Sequence, residues 1–235
     1  MEINLDGIVV IVGNYGSGKT QVSIHLALMK KRQGADVRVV DLDLVNPYFR
    51  VREACDLLTS KGIGVVIPPL KYFHADLPIL DPAAAGAIQD PRGGVVILDA
   101  GGDDAGSTVL ASLSHVLKNR ALKGKNVHTL MVVSHLRPMT RSQEACVRVM
   151  RRIEKASGLR VTGFAGNANL MEETDPGHIY EGHEFVQALS KKTGIPVAFV
   201  TAPSRLIPEL DPGRFSCPLM PLDTQASFPW KKRAS

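Results

Sequence analysis

The chain has 235 residues, a formal net charge of +5, 44% apolar residues and 22% charged residues. That length suffices for one large domain with a real core, and the composition excludes a low-complexity or highly charged disordered chain. No apolar run approaches the roughly 18 residues that a membrane span needs, and the acidic start Met1-Glu2-Ile3-Asn4-Leu5-Asp6-Gly7 gives no expectation of a secretory signal.

The first element is the apolar run Ile8-Val9-Val10-Ile11-Val12, read as a buried strand. Directly after it comes Gly13-Asn14-Tyr15-Gly16-Ser17-Gly18-Lys19-Thr20, which fits the phosphate-binding pattern G-x-x-x-x-G-K-[ST]. A helical pattern, 19–33, leads out of it. Strand, glycine loop, Lys-Thr and helix stand in the order this chemistry needs. The glycines let backbone N–H groups curl around a polyphosphate, and the helix N-terminus adds partial positive charge. Lys19 would reach the β/γ oxygens, and the Thr20 hydroxyl would ligate Mg²⁺.

The second strand, 36–41, ends in Asp41-Leu42-Asp43, two carboxylates one residue apart and therefore on one side of the strand. Beside a polyphosphate, such a pair would orient a water and support the metal shell. A helical pattern spans 50–60, and a strand-like run spans 63–67. The stretch 68–93 is loop-like, rich in Pro, Asp and Gly, with Ala83-Ala84-Ala85-Gly86-Ala87-Ile88 as a short helix inside it. Strand 94–99 ends in Asp99-Ala100-Gly101-Gly102-Asp103-Asp104. A carboxylate closing an apolar strand is the usual partner of a phosphate-binding loop, placed for Mg²⁺. The glycines, Gly102 among them, would let the backbone approach the terminal phosphate and move when it leaves.

Helical patterns at 105–121, 140–157 and 178–193 alternate with strand-like runs at 127–134, 159–165 and 196–200. Regular alternation implies a parallel sheet covered on both faces. The expectation is therefore an α/β fold: a single three-layer domain, residues 1–235, with a mostly parallel sheet of about seven strands flanked by helices. Its core would span about 8–200, and the Pro-rich stretch 202–235 would be irregular. Ligands of such sheets bind outside the carboxyl ends of the strands, where each motif above falls.

Other features read as structure. Arg141, Arg148, Arg151, Arg152 and Lys155 ride on one helix opposite Val147, Met150 and Ile153, a solvated face rather than a nucleic-acid footprint. Cys55, Cys146 and Cys217 are far apart, so no zinc or iron–sulfur site is written locally. Free thiols in the cytoplasm are the default, and Cys146 reads as a helix filler. His178 and His183 are poorly spaced for a shared metal. Trp230-Lys231-Lys232-Arg233 is too short for a membrane anchor.

Taken together, Gly13 to Thr20, Asp41-Leu42-Asp43 and Val95-Val96-Ile97-Leu98-Asp99-Ala100-Gly101-Gly102 resemble the MinD/ParA-type branch of the SIMIBI class of P-loop NTPases, over roughly 8–200. That resemblance implies a Mg²⁺-dependent ATPase that acts on a protein partner, in some members as a nucleotide-dependent homodimer. It implies catalytic roles for Lys19 and for Asp43, which would polarise the attacking water. Asp41 and Asp99 would support the metal ligated by Thr20. Nucleotide contacts would come from Gly13, Asn14, Tyr15, Gly16, Ser17, Gly18, Lys19, Thr20, Gln21 and Gly102. The strand-end Asn167 or Asn169 would read adenine, since an amide offers both a donor and an acceptor. No N-K-x-D guanine motif is present, which favours ATP over GTP.

One departure stands out. The family's second lysine, directly after the first glycine, is Asn14 here. Asn14 carries no charge, which puts the contact that this lysine makes across a dimer in doubt; Arg50 or Arg52, just after the first switch, could substitute as a cationic finger. Two other readings remain open: a phosphotransferase or ligase of the dethiobiotin-synthetase kind using Lys71, Tyr72 and His74, and a DNA-partitioning ATPase using the basic helix.

Overall fold

A computed structural model describes residues 1–43, 51–67, 82–89, 94–102 and 104–223. The strands are β1 (Gly7–Gly13), β2 (Val37–Leu42), β3 (Gly64–Val66), β4 (Val95–Ala100), β5 (Val127–Val133), β6 (Gly163–Gly166), β7 (Val197–Pro203) and β8 (Leu219–Leu222). The α-helices are α1 (Lys19–Arg32), α2 (Cys55–Ser60), α3 (Pro82–Gln89), α4 (Asp104–Leu122), α5 (Gln143–Ser157) and α6 (Pro176–Thr193).

Among the described residues the sheet has eight strands in the order β3-β2-β4-β1-β5-β6-β7-β8, every pair parallel. Near-continuous apolar strands such as Val95-Val96-Ile97-Leu98 are what a sheet covered on both sides requires. Successive residues point to opposite faces, and the core divides accordingly. Val9, Ile11, Val39 and Ile97 pack with Val22, Ile24, Leu26 and Ala27 of α1 and with Leu58 of α2. Val10, Val40 and Leu98 pack with Leu113 of α4, Met150 and Ile153 of α5, and Val186 of α6 on the other face. The molecule is thus a single α/β domain with helices on both faces of the sheet, as the alternation implies.

The helix ends follow capping chemistry. Ser142 accepts from the Ala145 N–H at the start of α5. Asp175 does the same for the His178 N–H at the start of α6, where Pro176 holds the first helical position. Gly158 and Gly194 close the two helices in the left-handed conformation.

The eighth strand is the departure from the expected sheet. It lies within the stretch expected to be irregular, with Val200 facing Leu219 and Ala202 facing Pro221. Pro218 and Pro221 argue against a strand in sequence, because proline gives no ladder donor. At the outer edge of a sheet that loss is tolerated, and Pro221 is exposed. Residues beyond 223, with Trp230 and its basic neighbours, lie outside the described residues. No helix among the described residues is long and apolar enough to cross a membrane.

Candidate functional site

The central strand β1 runs directly into the glycine loop, and α1 begins at its end. Gly18 sits before α1 with φ +90°, a conformation that favours glycine, and a Cβ there would run into the Asn167 side chain. Lys19 and Thr20, the first residues of α1, are both buried. The Lys19 ammonium folds back to donate to the Asn14 carbonyl at 3.2 Å.

Strand periodicity sets the carboxylates opposite this loop. Val39 and Ile97 face α1, so Asp41 and Asp99, two residues on, face it too. Asp41 and Asp99 are register partners on adjacent strands. Asp99 accepts from the Thr20 hydroxyl at 2.7 Å and from the Ser23 hydroxyl at 2.8 Å. It is fully buried. Burial pushes its carboxyl up to about 7; the Asp41 charge adds to the rise, while the two hydroxyl bonds and Lys19 oppose it. A carboxylate in this setting gains from a cation placed beside Thr20.

Asp41 has a different neighbourhood from the one expected. Its Oδ1 accepts from the Asp43 N–H at 3.0 Å, and its Oδ2 pairs with Arg52 Nε at 3.0 Å. Arg52 also donates to the Asp43 carbonyl at 3.3 Å. Burial still raises the Asp41 carboxyl, against the pull of the guanidinium. Arg52 therefore ties the second strand's end to itself and is engaged within its own chain. Asp43 is buried at the same strand end, its backbone held by Asp41 and Arg52.

Beyond β4, Gly102 presses against the glycine loop. A Cβ on it would lie 2.6 Å from Lys19 Nζ and 2.8 Å from the Tyr15 backbone nitrogen. Only a residue without a side chain permits that approach. Ser17 Oγ is buried without a hydrogen-bond partner among the described residues.

Asn167 and Asn169, the candidates for reading the base, follow β6, and their amides are directed at protein groups of the β1–α1 loop and α1. Asn167 donates to the Ser17 carbonyl at 2.8 Å and accepts from the Thr201 hydroxyl at 2.6 Å. Asn169 donates to Gln21 Oε1 at 3.0 Å and accepts from the Met171 N–H and the Thr174 hydroxyl. Asn14 donates to the Tyr15 carbonyl at 3.3 Å, and Gly13 and Gly16 complete the loop. A Cβ on Gly16 would meet one atom within 4 Å, Arg137 Nε at 3.9 Å. Arg137 was not expected at the site; it lies past the end of β5, and only the parallel topology brings it here.

Several candidates fall elsewhere. Arg50, Lys71, Tyr72, His74 and Asp103 lie outside the described residues. The basic side chains of α5 are exposed, with Cys146, Met150 and Ile153 turned to the core. Burial pushes the Cys146 thiol up to about 12, as suits a filler. His178 caps α6 by accepting from the Asp175 N–H, and His183 meets Ser216. Among the described residues no group of three or more His, Cys, Asp or Glu is arranged to hold a metal. Mg²⁺ suits the remaining donors, since it keeps several waters and takes substrate phosphates with one or two protein oxygens.

No protein-family model matches this chain, and no curated protein matches it. Solved structures do. FtsY from Thermotoga maritima superposes with a TM-score of 0.59 at 20% identity, over 86% of this chain and 65% of that one. Chloroplast FtsY from Physcomitrella patens gives 0.56 at 20%, over 85% and 61%. The signal recognition particle receptor FtsY from Elizabethkingia anophelis, determined in complex with GDP, gives 0.54 at 20%, over 84% and 57%. The fold is that of a P-loop NTPase. This chain spans less than two thirds of the length of each of these proteins. At the β1–α1 loop of this fold, Thr20, Asp99 and Gly102 converge.

Proposed function

We propose that this chain is a Mg²⁺-dependent, ATP-binding and ATP-hydrolysing switch protein of MinD/ParA type that acts on a protein partner. The observation that carries the reading is the buried bond from the Thr20 hydroxyl to Asp99, with Gly102 pressed onto the same loop.

In this reading the backbone N–H groups from Gly16 to Thr20 and the Lys19 ammonium bind the β- and γ-phosphates. The Thr20 hydroxyl and, through water, Asp99 would hold Mg²⁺, which when bound neutralises phosphate charge. The buried carboxylate, raised in the absence of a cation, fits that role. Asp43 orients the water that attacks the γ-phosphorus; the bond to the bridging oxygen breaks, leaving ADP and phosphate. Asp41 acts mainly through its link to Arg52 and the Asp43 backbone, which fixes where Asp43 stands. Gly102 can follow the γ-phosphate because, lacking a side chain, it packs directly against the Tyr15 backbone and the Lys19 ammonium. Its displacement on hydrolysis would report the nucleotide state.

Adenine is favoured because the residues after β6 run Asn167-Ala168-Asn169-Leu170, with no carboxylate to accept from the guanine edge. A partner surface is favoured by apolar exposure around the strand ends. Tyr15, Met139 and Met171 are exposed after β1, β5 and β6 respectively, the face where a protein partner or a second copy of the chain would sense nucleotide. Met171 has φ +65°, a strained conformation for a side-chain-bearing residue.

The test is calorimetry with ATP and GTP analogues, followed by Asp43→Asn. Wild type should take up the ATP analogue with Mg²⁺ at least about tenfold more tightly than the GTP analogue, a difference of about 1.4 kcal/mol. Asp43→Asn should keep uptake and lose most hydrolysis. Preference for GTP would overturn the base assignment, and undiminished hydrolysis would remove Asp43 from its role.

A further inference from the structure

We infer that Arg137 is a second cation of the phosphate site, supplied in cis by the turn after β5. The inference rests on the nucleotide-binding reading above and adds to it a residue outside the loop motif. Residues 13–20 contain one cationic side chain, Lys19, and position 14 is asparagine. A triphosphate carries more charge than one lysine balances.

The sheet order places β1 between β4 and β5. The loop after β1 is therefore approached from two sides, by Gly102 beyond β4 and by Arg137 beyond β5. Arg137 Nε stands 3.9 Å from where a Cβ of Gly16 would be, beside the loop. Arg137 is half-buried as a residue, and among the described residues its guanidinium has no hydrogen-bond or ion-pair partner. An unpaired guanidinium is a donor fork for an anion, and its geometry matches phosphate in bidentate fashion.

The turn that carries it is well fixed. The Arg137 N–H donates to the Ser134 carbonyl at 3.2 Å, and the Thr140 N–H to the Arg137 carbonyl at 3.0 Å. The Thr140 hydroxyl donates to the Ser134 carbonyl at 2.6 Å, and Cys146 Sγ to the Thr140 carbonyl at 3.5 Å. Pro138 starts the short 3₁₀ turn. The backbone is thereby held and only the side chain needs to move. Two hydroxyls, Ser17 Oγ in the loop and Ser134 Oγ just past β5, are buried without hydrogen-bond partners among the described residues.

The test uses the full chain with Arg137→Ala, Arg137→Lys and, as a control cation in the following turn, Arg141→Ala. Three quantities are read: melting temperature without nucleotide, affinity for a slowly hydrolysed ATP analogue at low and moderate salt, and ATP turnover. Arg137→Ala should leave the melting temperature unchanged, weaken analogue affinity or turnover at least tenfold, and reduce the salt dependence of binding. Arg137→Lys should fall between it and wild type, because the charge is kept and the fork is lost. Arg141→Ala should match wild type. If wild type binds no nucleotide, the functional reading fails and this inference with it. If wild type binds, and Arg137→Ala stays within about twofold of it or falls no further than Arg141→Ala, this inference alone is overturned.

Discussion

The side-chain amide of Asn167 donates to the carbonyl of Ser17 at 2.8 Å, while its oxygen accepts from the Thr201 hydroxyl at 2.6 Å. One side chain, just past β6, thus ties the β1–α1 loop to β7. Removing it leaves a buried carbonyl and a buried hydroxyl short of partners, at roughly 1–3 kcal/mol for each group. Asn167→Ala should lower the melting temperature by several degrees and weaken nucleotide binding about tenfold. Asn167→Asp should do worse at neutral pH, since it sets an acceptor against the Ser17 carbonyl. Thermal unfolding with and without nucleotide checks both. A purely base-reading asparagine would change affinity and leave the melting temperature of the free protein alone.

Arg52 and Asp41 form a pair in which the carboxylate is buried and the guanidinium largely so. Truncating one partner of such a pair strands the other charge, typically at about 3–5 kcal/mol. Arg52→Ala should therefore destabilise the free protein by that order, measured by denaturant unfolding. Adding Asp41→Asn should recover a large part of the loss, because no charge is then stranded. A finger reaching to another chain's nucleotide would behave differently: Arg52→Ala would leave stability intact and affect hydrolysis alone.

Asp99 gives the free protein a pH dependence whose sign is fixed. Its folded carboxyl titrates at about 7, above the ordinary value of 3.8. The folded state therefore binds the proton more tightly than the unfolded state. That contribution is fully present below about pH 4 and is lost as pH rises towards 7. Without divalent cations, the melting temperature should fall between pH 5 and pH 8. Asp99→Asn should flatten that fall and be more stable than wild type at pH 8, while losing the stabilisation that Mg²⁺ and ATP confer on wild type. Differential scanning calorimetry across that pH range reads both effects.

Much of this site can be read from sequence because its chemistry is local. The loop Gly13 to Thr20 is contiguous, and Asp99 closes an apolar strand, so the parallel alternation alone sets the two at the same sheet edge. What sequence hides is the partner of each polar side chain. Asn167 stands where a base-reading asparagine is expected, yet the groups its amide meets lie in the loops after β1 and within β7. In sequence Arg52 reads as a candidate finger across a dimer, and the fold pairs it with Asp41 of its own chain. Arg137 has no motif around it and reaches Gly16 only because β5 lies beside β1. Strand β8 is concealed by Pro218 and Pro221, which sequence rules count against a strand without knowing that it forms the sheet edge. The same stretch is tied back to α1 by the Asp223 N–H, which donates to His25 Nε2 at 2.9 Å, a link between residues at opposite ends of the sequence.

The central claim is that the β1–α1 loop holds a Mg²⁺–nucleoside triphosphate through Lys19 and the backbone around it. Isothermal calorimetry of wild type and Lys19→Ala with a slowly hydrolysed ATP analogue and Mg²⁺ measures it directly. Wild type should bind one analogue per chain, and Lys19→Ala should bind at least about a hundredfold more weakly, a loss of about 2.7 kcal/mol, with its melting temperature close to wild type. Equal affinity in the two proteins would contradict the account.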